Sequence, residues 1–518
     1  MRRLLLYFIC LFHWLPGNLN AQGVVYSENL GIRARSPFGV VGKSGEFYWL
    51  VKFQRQRSPQ RPGTENPFES LRFDLLDDKL NPLSEFSTDD LPLAKKQWLV
   101  CGEKNLDQVW ISTEKNNTII HCNRYGTNLT IRTATVDSLP FAAGASQLLM
   151  VRSEDHSKIL VLAFDDRDPS FTSLHALLFD NNWNRIYHQV ISRTILAQPC
   201  IQDDATGFAA ESFDNFPIKL ANNGEWLMAS PSRTNRNLSI LHVCPDGREF
   251  YFKEISLSPF YQIEDIAMSI DRNNQVISVG LLSSYKSSSL KNVQICNYSI
   301  GQGKFEFDSS YHFNTLSKDL QAKNLSRESF IAVPGGGFLL LKEYGIPYEL
   351  KKPDIPYLND WETSFLLSDY RQPSTVNQQP AKGYSLNKGL SPIPFIRNKG
   401  DLNLFYFPTV SGDSTWSGIL ETEQHGESNN PDLSYLFIPS ATKTYIIYNS
   451  TDGYRDPLAT TTTLDKGGRQ MEESLIFWRM NKMLNFQRSR RITETEIAVP
   501  YLEPSVSGFA IIKIQPAG

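Results

Sequence analysis

One feature constrains this chain more than any other. Short apolar runs rich in β-branched and aromatic residues recur along it, and helical periodicity is nearly absent. The first runs of successive modules are EFYWLV (46–51), QVWIS (108–112), KILVLAF (158–164), EWLMAS (225–230), QVISVG (275–280), GFLLLK (337–342), LNLFYF (402–407) and TYIIYN (444–449). They return about every 57 residues, the spacing of a repeated supersecondary unit. Second and third runs follow, such as LSILHVC (238–244) and REFYFKEI (248–255), with Pro245-Asp246-Gly247 between them. Asp-Gly accepts the positive φ that a tight hairpin needs.

A small antiparallel sheet cannot bury both of its faces alone. Packing such sheets around an axis buries each against the next. The expected fold is therefore all-β, a β-propeller of seven or eight blades, each a sheet of three or four antiparallel strands. The tail of the sixth module is long and proline-broken, so about 346–398 is expected to be an insertion, and seven blades with one decorated insertion stays open. No Pro-rich, Gly/Ser-rich or charged linker divides residues 22–518, which suggests one domain. The last run, SGFAIIKI (507–514), is expected to pair near the N-terminal blade and close the ring, removing an exposed edge.

The glycines of AVPGGGFLLLKEYG raise the question of a phosphate loop. Such a loop places its glycines before a helix, whose free N–H groups meet the anion. Here the following run is strand-like, and the Lys-Ser/Thr pair is missing. Polar turns containing glycine open the equivalent runs at 44–51 and 222–230 as well, so these glycines read as hairpin punctuation. The phrase GFLLLKEYG, the later KTYIIYNSTDG (443–453) and the closing SGFAIIKI resemble an exported family of uncharacterised propeller-type proteins. The likeness covers most of residues 22–518. It implies a propeller fold and export, and it supplies no catalytic residue.

The N-terminus reads as a secretory leader over residues 1–21: Arg2 and Arg3, an apolar run from Leu4 to Leu15, then Pro16-Gly17 and a small residue at Ala21. The run is too short to span a bilayer, and no later run is long enough. The expected location is periplasmic or extracellular. The formal charge of −3 becomes −5 once Arg2 and Arg3 are removed, and the strongest basic cluster is the short RSRR at 488–491. Nucleic acid is not an expected partner. Five cysteines lie beyond the leader at wide spacings, none zinc-like. Cys101 and Cys122 are the best candidates for one disulfide; the alternative is that they are buried thiols.

Acidic clusters are the main polar candidates. FDDRDPS carries Asp165, Asp166 and Asp168, IQDDATGF carries Asp203 and Asp204, and QIEDIAM carries Glu264 and Asp265. Converging at one end of a propeller funnel, such carboxylates could act as acid and base on a glycosidic bond, or hold calcium. The competing reading is a set of solvated turn acids. DNNWNR (180–185) begins like a calcium loop but lacks the glycine and the distal glutamate, and reads as a turn. No nucleophile elbow, metal spacing or cofactor loop is present, so no cofactor is expected apart from calcium. Trp361 in the insertion and Tyr344 at its border are the aromatic candidates for binding. The first expectation is thus a propeller that binds a protein or glycan of the envelope. The alternative is a glycoside hydrolase or lyase using the funnel carboxylates.

Overall fold

The computed structural model describes residues 24–27, 30, 38–54, 70–87, 97–128, 130–142, 148–168, 171–192, 208–210, 217–231, 237–256, 261–271, 273–285, 290–314, 325–333, 337–348, 396–409, 415–420, 424–427, 435–439, 443–450, 458–465, 470–477, 483–484, 489–493, 495–502 and 507–514. The expected leader over residues 1–21, and the expected insertion apart from its ends at 346–348 and 396–398, lie outside them. Among the described residues every regular element is a strand. No helix there is long and apolar enough to cross a membrane.

The strands form eight sheets. We name the strands of each blade a to d. Blade 1 is Phe38–Ser44, Phe47–Gln54, Ser70–Leu76 and Pro82–Ser87; blade 2 is Gln97–Cys101, Asn105–Glu114, Asn117–Gly126 and Ile131–Leu139. Blade 3 is Leu148–Arg152, Lys158–Asp168, Phe171–Asp180 and Arg185–Ser192; blade 4 is Ile218–Leu220, Trp226–Pro231, Asn237–Val243 and Phe250–Ser256. Blade 5 is Tyr261–Ile270, Val276–Tyr285, Leu290–Ser299 and Lys304–Asn314; blade 6 is Leu325–Ala332, Phe338–Tyr348, Ile396–Phe407 and Trp416–Leu420, with Gln424–Glu427 also on its c strand. Blade 7 is Tyr435–Pro439, Lys443–Ser450, Leu458–Asp465 and Gln470–Phe477. Blade 8 takes Met483–Leu484 and Arg490–Arg491, Glu496–Leu502 and Ser507–Lys513 from the end of the chain, and its d strand is Val24–Tyr26.

Alternation along each strand sends side chains to both faces of a sheet, so every blade packs on two neighbours. The core is accordingly divided into eight clusters, one per junction. The junction of blades 1 and 2 holds Trp49, Phe73 and Tyr125, and that of blades 2 and 3 holds Trp98, Val109 and Phe179. Successive clusters join blades 3 to 4, 4 to 5, 5 to 6, 6 to 7 and 7 to 8. The last sets Phe509 and Ile511 of blade 8 against Tyr48 and Leu50 of blade 1, so the ring is closed. The a strands of neighbouring blades lie side by side, which puts them innermost. The fold is a β-propeller, with eight blades among the described residues.

The closing run pairs as its sequence suggests: Ser507–Lys513 lies antiparallel to Val24–Tyr26. One module differs. LNLFYF is not the opening strand of a seventh unit but part of the c strand of blade 6, antiparallel to Phe338–Tyr348. The insertion is the b–c connection of that blade, and its length pushed the c strand about one module spacing downstream. The eighth unit lies instead in residues 483–513.

Of the glycines before FLLLK, Gly337 lies within the described residues and is a turn residue. Gly337 has φ 118 and its carbonyl accepts the Val333 N–H at 2.9 Å. A Cβ at Gly337 would lie 2.6 Å from the Tyr406 hydroxyl. Gly337→Ala is expected to lower stability by about 1–3 kcal/mol through strain and clash, read as a shift in urea midpoint. The 180–184 segment is also a turn: Asp180 Oδ1 accepts the N–H groups of Asn182 and Asn184 at 2.8 and 2.9 Å, and Oδ2 accepts Asn184 Nδ2 at 2.8 Å. Asp77 and Asn81 repeat that geometry in blade 1, at 2.7 and 3.0 Å. Leu80 and Trp183 stand at the same left-handed position, with φ 65 each, and both turn inward to a blade junction.

Candidate functional site

The two ends of the ring differ. Antiparallel alternation puts the a–b and c–d turns at one end and the b–c and d–a connections at the other. The turn end is short throughout, as at 45–46, 102–104, 221–225, 271–275, 77–81 and 181–184. The long connections 55–69, 193–217, 315–324 and 349–395 all leave from the other end, the loop end.

The turn end is pinned by polar contacts across six successive junctions. Between blades 8 and 1, Lys43 Nζ is 2.9 Å from each Glu496 oxygen. Between blades 1 and 2, Ser44 Oγ lies 2.7 Å from the Gly102 carbonyl and accepts Trp49 Nε1 at 3.0 Å. Between blades 2 and 3, Asp107 accepts Arg124 at 2.8 Å through both oxygens and Trp183 Nε1 at 2.7 Å. Trp226 Nε1 donates to Tyr187 at 2.8 Å between blades 3 and 4. Between blades 4 and 5, Glu225 accepts Tyr298 Oη at 2.9 Å and Gly301 N–H at 3.1 Å. Asn297 Nδ2 donates to the Thr409 carbonyl at 3.0 Å between blades 5 and 6. Buried polar groups satisfied in this way hold one geometry.

Glu264 and Asp265 stand near the start of the a strand of blade 5. The a strands run from the loop end to the turn end, so both residues lie on the loop-end half of the axial wall. The ladder to the b strand slips between Ile263 and Asp265, leaving Glu264 without a cross-strand partner. Lys291, on the c strand, forms an ion pair with Glu264. Asp265 Oδ1 accepts the Ile266 N–H at 2.8 Å, and the carboxyl also accepts the Phe330 N–H of blade 6. Asp265 is open to axial water although protein surrounds it. Enclosure is the main cause that pushes its pKa up to about 6; the two backbone donors oppose this and the Glu264 charge adds to it. A carboxyl raised in the folded state is protonated there at pH values where the unfolded chain has already lost its proton. Its contribution is present below the ordinary Asp value and declines as pH rises through about 6. Carboxyl NMR should show a midpoint near 6 that disappears in Asp265→Asn.

Asp165 and Asp166 stand apart from this pair. Asp165 and Asp166 lie on the b strand of blade 3, where the ladder slips between Asp165 and Asp168, away from the innermost row. Asp203, Asp204 and Trp361 lie outside the described residues. Tyr344 is on the b strand of blade 6 opposite Ser326. Among the described residues no three His, Cys, Asp or Glu side chains form a group that could hold a metal.

The expected Cys101–Cys122 disulfide is not formed. Cys101 packs toward the junction with blade 1 and Cys122 toward that with blade 3, so the two sulfurs sit on opposite faces of one sheet. Burial pushes the Cys122 thiol well above its usual range. His175 and His188 lie on adjacent strands of blade 3 with Nδ1 and Nε2 3.1 Å apart. Sequence reasoning missed Lys291 and Glu225. The only signal for either was an ionisable residue at the edge of an apolar run.

No family model and no curated protein matches the chain. Among solved structures it is similar to the β-propeller domain of the Trilobed protease from Pyrococcus furiosus, 9% identical over 88% of this chain and 97% of that one, with a TM-score of 0.33. The Nup133 β-propeller domain of Vanderwaltozyma polyspora is 10% identical, with 81% of this chain and 100% of that one covered, at a TM-score of 0.32. The α-L-arabinofuranosidase Arb93A of Fusarium graminearum is 8% identical, with 72% and 94% covered, at 0.27. At these values no residue role transfers.

Proposed function

We propose that this chain is an exported binding propeller that holds a protein or glycan of the cell envelope at its loop end. The observation that carries the reading is the asymmetry of the ring: one end pinned by short turns and polar contacts, the other bearing every long connection. A rigid ring presenting variable loops is how scaffolds display recognition surfaces. Export is supported by the leader-like pattern of residues 1–21.

The test is capture from envelope extract by residues 22–518, compared with a variant in which a two-residue Asn-Gly turn replaces 349–395. Tyr348 and Ile396 are direct cross-strand partners, so the hairpin can close there and the variant is expected to melt within about 4 °C of the parent. A stoichiometric partner lost with the deletion supports the proposal. No partner at all, or one held equally by the variant, overturns it.

One observation favours a second reading. A carboxyl with a pKa of about 6 on the axial wall is suited to donate a proton to a glycosidic oxygen. Polysaccharide cleavage abolished by Asp265→Asn would move the assignment to a carbohydrate-active enzyme. Cleavage unchanged in that variant would exclude Asp265 as its acid.

A further inference from the structure

The connection from blade 3 to blade 4 takes a detour. It leaves the d strand at Ser192 and enters the next a strand at Ile218, whereas residues 257–260 suffice for the equivalent step from blade 4 to blade 5. On the way the chain turns back against the direction of the ring. Phe208–Ala210 pairs with the a strand of blade 2, with Phe208 opposite Gln97, Ala209 opposite Trp98 and Ala210 opposite Leu99. The b strand occupies the other edge of Gln97–Cys101, so this fifth strand lies on the axial side. It is parallel, while every other pairing among the described strands is antiparallel.

We propose that the axial edge of blade 2 is an acceptor site for an extended peptide, and that Phe208–Ala210 is its resident, displaceable occupant. This rests on the binding reading above. An inner edge offers a row of backbone N–H and C=O groups that any extended chain can engage. The resident strand is three residues long and parallel, the weaker pairing geometry. By sequence, residues 195–216 carry Asp203, Asp204, Glu211 and Asp214 and no lysine or arginine. The incoming peptide takes the same place, extended and parallel to Gln97–Cys101 in the register of the resident strand. Tethering gives the resident strand an effective concentration in the millimolar range, which a competitor must overcome.

The test uses a synthetic peptide of residues 205–212, ATGFAAES, as the probe. A variant whose 195–216 segment is replaced by the four residues Leu-Ser-Pro-Phe of 257–260 should bind it, with shifts at the Trp98 and Leu99 amides. The intact chain should bind it about tenfold or more weakly. If the shortened variant fails to fold, Ala209→Pro in the full chain serves instead: faster amide exchange at 97–99 and new peptide binding are expected. Equal binding by both proteins, or none by the opened one, overturns the proposal. Either result leaves capture by the loop at 349–395 to be judged separately.

Discussion

Glu225→Ala is expected to lower stability by about 3–5 kcal/mol, the range for removing one member of a buried charged cluster. Glu225 and His242 are nearly inaccessible, with side chains 3% and 1% exposed. Oε1 lies 2.7 Å from His242 Nε2 and accepts Tyr298 Oη at 2.9 Å. Oε2 accepts Asn223 Nδ2 at 3.0 Å and the Gly301 N–H at 3.1 Å. Truncation leaves the buried His242 and Tyr298, which also contact each other at 2.7 Å, without their carboxylate acceptor at the junction of blades 4 and 5, where water cannot readily replace it; Asn223 and the Gly301 N–H are exposed and can turn to solvent. Burial alone would raise the Glu225 pKa, but the contacts with His242, Asn223 and Tyr298 outweigh it and hold the group below its ordinary value. Its contribution is therefore present above the ordinary glutamate pKa and is lost as the pH falls through the depressed one. Urea unfolding from pH 7 to pH 3 should show this slope in the parent and a reduced one in Glu225→Ala. A loss below about 1 kcal/mol at pH 7 would mean the cluster is no better than a surface pair.

Phe509→Ala is expected to cost a similar amount, about 3–5 kcal/mol, and to act on ring closure in particular. Phe509 is fully buried among Tyr48, Leu50, Leu80 and Ile511, where blade 8 meets blade 1. Its backbone also holds the N-terminal segment: the Ser27 N–H donates to its carbonyl at 2.9 Å, and Ser27 Oγ accepts its N–H at 2.9 Å. The cavity should loosen Val24–Tyr26 before any other strand. Limited proteolysis should then cut the N-terminal segment of the variant well before the remainder. Phe164→Ala, at the junction of blades 3 and 4, is the control. Equal N-terminal protection in both variants would show that closure does not depend on this contact.

Most of the fold was legible because b and c strands are long, apolar on both faces and separated by turn chemistry. VISVGLLSSY and KILVLAF could be little else. The edge strands were the weak point. Ile218–Leu220 and Val24–Tyr26 are three residues each, too short to leave a pattern of their own. Blade membership failed at 402–407 because pairing with residues 338–348 spans an insertion that no local signal bridges. The candidate site was visible only as charge. Glu264-Asp265 stood out as an acidic pair, yet the bulge beneath it depends on pairing with the b strand of blade 5, and one of the donors to Asp265, the Phe330 N–H, comes from blade 6. Glu225 was illegible for a similar reason: its Tyr298 partner lies 73 positions away.

The seam in blade 8 also sets how the ring would yield to force. Val24 pairs with Ile512 and Tyr26 with Ala510, so the strands leave the ladder at its Val24–Ile512 end together. Tension applied to the two ends of the chain would load those bonds one after another, not all at once. The seam would peel open like a zip at low force while blades 2 to 7 stayed intact. A sideways load across a blade junction meets interlocked side chains instead. Hung by its ends, this ring is a hoop with a soft latch; held at its loop end, it is a stiff disc.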